Sequence, residues 1–143
     1  MNHTVTQEQY IDIGIGEERY AIRIEDIQEI IRWQDVTRLP SSKPYIKGVI
    51  NLRSKIVPII SLRNRFGMAE EAHTKSTRIL IINHVNESVG IIVDRVNQVI
   101  TIPDIQPQLE RGGGPNNSWI TGFGRTPAGL VCILKLEGMF QSP

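Results

Sequence analysis

The sequence predicts an all-β protein, mostly strand with one or two short helices. Three observations carry that reading. Apolar and polar residues alternate with period two in one segment after another, with β-branched side chains at the apolar positions. No stretch keeps the 3.6-residue period of a long helix. Finally, YIDIGIGEERYAIRIEDIQEII from Tyr10 aligns without gaps with ILIINHVNESVGIIVDRVNQVI from Ile79, an offset of 69 residues. Glu18 then meets Glu87, Ile22 meets Ile91, Glu25 meets Asp94 and Ile31 meets Ile100. Identities are few, but hairpin, acid and following apolar pair stay in register. We read an internal repeat: two small β-lobes of similar build, each near the size at which one core is marginal. They should pack on each other and leave a groove between them.

The elements follow in order. Gln9–Ile15 alternates, Gly16-Glu17-Glu18 turns, and Tyr20–Ile24 alternates again, a β-hairpin. Glu25 and Asp26 precede Ile27, Ile30 and Ile31, whose i, i+3, i+4 spacing predicts one helical turn. Trp33–Pro44 reads as loop. Ile46–Leu52 and Ile56–Leu62 are strands joined at Arg53-Ser54-Lys55. Pro58 places the second at a sheet edge or at a bulge, because proline cannot donate to a ladder. Asn64–Ser76 is polar and should cross between lobes. Arg78–Asn83, Val89–Val93 and Val99–Ile102 are further strands, Glu110–Ser118 is a glycine-rich loop, and Leu130–Leu136 is a last strand.

Composition narrows the function. The chain has 143 residues, 40% apolar, with 16 basic and 15 acidic side chains. That is a globular composition without the basic excess of a nucleic-acid surface. Aromatics are 6%, and Trp33, Tyr45 and Trp119 do not share one alternating strand, as a stacking platform would need. The N-terminus lacks a signal-peptide pattern, and no apolar run nears the roughly 20 residues of a membrane helix. A cytoplasmic protein without membrane insertion is the expectation. The single cysteine, Cys132, sits in an apolar run and reads as a small buried hydrophobe.

Enzymatic signatures are missing from the sequence. His3, His73 and His84 are far apart, and no metal-ligand spacing occurs. GGGPNNS lacks the Lys-Ser/Thr of a phosphate loop. Asp94 and Arg95 are neighbours in a strand-like run and so point to opposite faces. No catalytic residue, metal or cofactor is expected.

What remains is a binding surface. In GVINLRSKIVPII, Ile50 and Leu52 share one parity, and Val49, Asn51 and Arg53 the other. The first set can face a core. The second presents an apolar residue, an amide and a guanidinium, a mixture favoured in interface cores. A solvated arginine at a hairpin end is the plainer reading of the same residues.

The stretch YIKGVINLRSKIVPIISLRNRFGM, Tyr45 to Met68, closely resembles the signature of CheW-like domains, the adaptors of bacterial chemotaxis. IRIEDIQEI, SVGIIVDRVNQVI and WITGFGR followed by LVCILKL are similar to that family too, so the resemblance runs from about Gln9 to Leu136. It implies a single domain over residues 1–143 made of two packed SH3-like five-stranded β-barrels. Residues 8–68 would form mainly the first and 76–136 mainly the second, with some strand exchange. It also implies a non-enzymatic adaptor that couples transmembrane chemoreceptors to the regulatory domain of a CheA-type histidine kinase. Such an adaptor is cytoplasmic and recruited to membrane-associated receptor arrays. A CheW-like scaffold or inhibitor in a different receptor and kinase pathway, for pilus motility or development, is the alternative.

By the same resemblance, Arg53 falls on the arginine of an N-L-R-G motif at the receptor surface, with Gly48, Val49 and Asn51 in the same stretch. Ile27, Glu29 and Ile30 would line the groove from the first lobe, and Val89, Gly90 and Val93 from the second; core packing is the plainer role for these aliphatics. Arg32, Trp33 and Gln34 are candidate kinase contacts, with Trp33 either exposed or buried. The sequence departs from the pattern at Ser54, where the family has glycine, and at Ser61, where aspartate is common. A serine at position 54 is strained if the turn needs positive φ. Serine at 61 removes a charge and a candidate hydrogen bond to a neighbouring loop. The chain stops soon after Phe140, without a long C-terminal helix.

Overall fold

A computed structural model describes residues 8–40, 45–84, 86–102, 105–107 and 119–136. The glycine-rich stretch Glu110–Ser118 and both chain ends lie outside the described residues. The strands are β1 (Gln9–Ile15), β2 (Glu18–Arg23), β3 (Ile27–Arg32), β4 (Ile46–Leu52), β5 (Lys55–Ser61), β6 (Arg78–His84), β7 (Glu87–Val93), β8 (Arg95–Thr101), β9 (Ile105–Pro107), β10 (Ile120–Thr126) and β11 (Gly129–Leu134). A 3-10 turn covers Ile24–Asp26, and one short helix, α1, covers Leu62–Arg65. The all-β expectation holds, and the internal repeat is visible in the strand positions. The offset of 69 carries β1 onto β6 and the start of β2 onto the start of β7, and it carries Arg32, the end of β3, onto Thr101, the end of β8.

Local expectations change at Ile27–Ile31 and at Pro58. Ile27–Ile31 is not a helical turn but the strand β3, paired antiparallel with β6. A bulge between Ile27 and Glu29 adds a residue to the strand and turns period two into an apparent i, i+3 spacing. Pro58 is not at an edge, because β5 lies between β7 and β4. Its partner Val49 exchanges backbone hydrogen bonds with Thr37 on the far side (2.8 and 2.9 Å), so Val49 and Pro58 form a non-hydrogen-bonded pair. On the other flank the parallel register with β7 begins at Ile59, so no ladder bond needs the missing N–H. The strand β10 was not legible, since ITGFGRT carries two glycines and little apolar alternation.

The strands sort into a six-stranded sheet, β8-β1-β2-β11-β10-β9, and a five-stranded sheet, β3-β6-β7-β5-β4. The division into residues 8–68 and 76–136 does not follow these sheets. The first keeps β1–β2 from the first half but takes β8 to β11 from the second. The other keeps β6–β7 but takes β3, β4 and β5 from the first half. Exchange is therefore extensive and reciprocal: β3 pairs with β6, and β8 with β1. Each lobe's third strand completes the other lobe, because the chain leaves each opening hairpin across the seam between sheets.

The five-stranded sheet closes on itself, and the six-stranded sheet does so only through chain connectivity. In the five-stranded sheet β3 and β4 are the two edges, yet Thr37, just past β3, forms a bridge with Val49 of β4. In the other sheet β8 and β9 are the edges and are consecutive along the chain. The bridge covers part of the β4 edge, which would otherwise invite association.

Three apolar clusters follow from the pleat. Tyr10, Ala21, Ile102, Val131 and Ile133 fill one barrel. Ile50, Val57, Ile59, Ile79 and Ile81 fill the other. The opposite parity of the same strands, including Ile11, Ile13 and Ile15 of β1 and Leu80 and Ile82 of β6, joins in a shared core between the barrels. Inside the barrels, one repeat-related position changes from charged to apolar. Asp12 of β1 is fully buried and accepts from Arg19 Nη2 (2.6 Å) and Asn97 Nδ2 (3.2 Å), whereas its counterpart is Ile81.

Polar contacts fix the barrels to each other. The Asp94 carboxylate, at the corner between β7 and β8, accepts from Arg63 Nε (3.0 Å), Arg63 Nη2 (2.7 Å) and the Gly16 N–H (2.7 Å). Its own N–H donates to Gly14 O (3.1 Å). Gly14 and Gly16 belong to one sheet's hairpin, and Arg63 follows β5 of the other.

Candidate functional site

The quoted hairpin β4–β5 turns through two residues, with φ of +50° at Arg53 and +70° at Ser54. Positive φ at both positions is the primed turn that suits the twist of a hairpin. Ser54 does stand where glycine would be unstrained. Asn51 Oδ1 accepts from the Ser54 N–H (3.1 Å), so Asn51 holds this turn in shape. The parity reading is correct: Ile50 is buried and Leu52 packs against the same barrel core, while Asn51 and Arg53 are exposed and Val49 is half-buried.

Arg53 is 70% exposed and reaches across the closed barrel to Glu29 of β3, which is 31% exposed. The two side chains form a fork-to-fork ion pair: Arg53 Nη2 donates to Glu29 Oε2, and Nη1 to Oε1 at 3.3 Å. The Arg53 hydrogen bond holds the Glu29 carboxyl below its ordinary range, and the pairing raises the guanidinium. Beside Glu29, Ile30 is one of the few large apolar residues at the surface, and Ile27 is partly buried against the shared core. Gly48 is buried and serves the closure rather than the surface. A Cβ there would collide with the Thr37 carbonyl oxygen, so only glycine lets the post-β3 segment reach β4.

The second-lobe members of the proposed groove are placed elsewhere. Val89 and Val93 lie in the shared core, and Gly90 faces Ile59 and Ile79 inside the barrel. The reason is topological: β7 is the central strand of its sheet, so both its faces are covered. The repeat's own counterparts of Ile27, Glu29 and Ile30 are Val96, Gln98 and Val99, on the edge strand β8, where Val99 is 50% exposed. Applying the offset residue by residue would have reached them.

Arg32 and Gln34 are exposed at the end of β3. Trp33 is not an open anchor. It packs against the barrel core and is covered by the linker, with His73 stacked on it at 4.5 Å and the Lys47 ammonium 5.9 Å from its ring. Ser61 keeps the bond that its departure from aspartate put in doubt. Its hydroxyl caps α1 by accepting from the Asn64 N–H (3.2 Å) and donates to Glu70 of the linker (3.1 Å). Cys132 is half-buried, and burial pushes its thiol pKa up. Among the described residues no group of acidic, histidine or cysteine side chains could hold a metal, and no helix is long and apolar enough to cross a membrane.

The model of the CheW-like domain matches residues 9–143. The chain belongs to the CheW-like family. It is 40% identical over 135 residues to a chemotaxis protein CheW of Helicobacter pylori, covering 93% of this chain and 81% of that one. To a chemotaxis protein CheW of Treponema pallidum it is 35% identical over 144 residues, with 95% and 84% covered. The crystal structure of the scaffolding protein TtCheW from Thermoanaerobacter tengcongensis superposes with a TM-score of 0.86 at 30% identity, covering 99% of this chain and 93% of that one. The CheW-like fold and a scaffold rather than enzymatic character follow from this membership.

Proposed function

We propose that this CheW-like chain is a non-enzymatic adaptor coupling transmembrane chemoreceptors to a CheA-type histidine kinase, in the cytoplasm at membrane-associated receptor arrays. The observation that supports it is the exposed Glu29–Arg53 pair, set on a closed barrel beside exposed Ile30. A guanidinium held by a single carboxylate is oriented yet open to a second acceptor. An amphipathic receptor helix can offer that acceptor together with an apolar stripe for Ile30. Arg32 and Gln34, further along β3, are the candidate kinase contacts. The adaptor makes and breaks no bond. It holds receptor and kinase in one geometry, and a coupling of about 1–3 kcal/mol between them is enough to bias the kinase.

Binding of the purified protein to a receptor cytoplasmic fragment and to a CheA-type regulatory domain tests this. Arg53→Ala should weaken receptor binding about tenfold or more and leave kinase binding unchanged. Its thermal midpoint should stay within about 2 °C of wild type, as for a surface change. Equal loss of both partners, or binding of neither by wild type, would refute the assignment.

A further inference from the structure

The polar linker does not cross between the barrels as expected but runs from α1 to β6 within the five-stranded sheet, and it borders two shallow concavities that contain no acidic residue. One is lined by Arg32, Lys75 and Arg78 together with Trp33, His73 and two threonines. The other is lined by Arg78 and Arg95 with Ser76, Asn97 and Gln98. Arg78 is common to both, so the cations form one continuous strip. Among the described residues, none of Arg32, Lys75, Arg78 and Arg95 is in an ion pair. The acids nearest the strip are already engaged: Glu70 faces Lys47, while Glu71 and Asp94 face Arg63. Arg95 also feels the neighbouring Asp94 carboxylate, but on a chain of formal net charge +1 four cations outside any ion pair on one strip are a local excess.

The strip is also built. Arg78 Nη1 donates to Lys75 O (2.8 Å) and Thr77 O (2.9 Å). Those bonds orient the guanidinium while Nε and Nη2 keep free donors. The turn beneath is hydrogen-bonded within itself: the Thr77 N–H bonds Thr74 O (3.2 Å), the Thr74 N–H bonds Thr77 Oγ1 (2.9 Å), and the Ser76 N–H bonds Thr74 Oγ1 (3.1 Å). An oriented arginine fork suits a carboxylate bidentately.

We propose that the strip Arg32–Lys75–Arg78–Arg95 is a docking site for an extended acidic polypeptide segment carrying several carboxylates. The cations line two adjoining open concavities rather than converging on one closed pocket. That geometry fits a chain of spaced carboxylates better than one phosphate. The site is separate from Glu29–Arg53 but shares Arg32 with the candidate kinase contacts, so the test rests on Arg78 and Lys75, to which the adaptor reading assigns no role.

The test uses the full chain and a fluorescein-labelled octaglutamate probe in low salt, followed by anisotropy. Octaglutamate should bind, with affinity falling steeply as salt is raised. Arg78→Gln and, separately, Lys75→Gln should each weaken binding about threefold to tenfold, and Arg53→Ala should leave it unchanged. Lys75 donates no side-chain bond within the described fold, so its variant keeps the test valid if Arg78→Gln unfolds. No binding of octaglutamate, or binding indifferent to both variants, overturns the proposal. Tighter binding of inorganic phosphate or of a dT8 oligonucleotide, lost in the same variants, overturns it in favour of a phosphate ligand.

Discussion

Ser54 carries a backbone cost that its neighbours only partly offset. A non-glycine residue at positive φ costs roughly 1–2 kcal/mol, and glycine returns about 0.5–1 kcal/mol of that through its greater unfolded-state freedom. Ser54→Gly should therefore raise stability by roughly 0.5–1 kcal/mol, read as a higher urea midpoint at unchanged slope. An unchanged or lower midpoint would mean that the Asn51 cap needs the serine conformation. The same residues show what was legible at this scale. The parity of Val49, Asn51 and Arg53 against Ile50 and Leu52 is a property of the local chain and was readable. The partner of Arg53 was not, because Glu29 lies 24 residues away and meets it only after the sheet has closed.

At the scale of elements, the repeat was readable in its opening hairpins and hidden in its closures. The bridge of Thr37 to Val49 has its counterpart in β9 paired with β10, where Gln106 meets Phe123. Both strands that receive these segments show a register shift near their start, at Ile46/Gly48 and at Ile120/Gly122. None of this leaves an apolar rhythm in the sequence, since bulges break period two and glycines carry no pattern. Gly48→Ala tests the closure. The added methyl group meets backbone rather than a yielding side chain, so about 2–3 kcal/mol of stability should be lost. Amide exchange at Thr37 and Val49 should speed up more than exchange in β6. Uniform acceleration across the sheet would show that the bridge does not close it.

At the scale of the whole molecule, Asp94 is the joint that links one barrel's hairpin to the other barrel's Arg63. Burial tends to raise its pKa, but the Arg63 and Gly16 hydrogen bonds outweigh burial and hold it below the ordinary carboxylate value. A folded pKa below the unfolded one adds stability above the unfolded pKa, and this is lost as pH falls through the folded value. Asp94→Asn should cost about 1–3 kcal/mol near neutrality and flatten the acid side of the stability profile. Parallel wild-type and variant profiles between about pH 5 and pH 2 would show that Asp94 does not act as a charged joint. The repeat-related Glu25 lies in an exposed 3-10 turn and ion-pairs with Arg23, so the alignment of Glu25 with Asp94 does not reveal this role.

The sequence by itself determined the strand periodicity, the repeat, the turn chemistry of Arg53-Ser54 and the family signature, because each depends on residues within one hairpin or one ungapped alignment. Only the tertiary structure decided that third strands cross between lobes, that Val89, Gly90 and Val93 are core, and that Glu29 meets Arg53. It alone also places Arg78 and Arg95 on one strip. Those outcomes depend on which strand edges find each other. Such pairing is set by burial of the shared core between two sheets, a contact between residues far apart in the chain that no local pattern encodes.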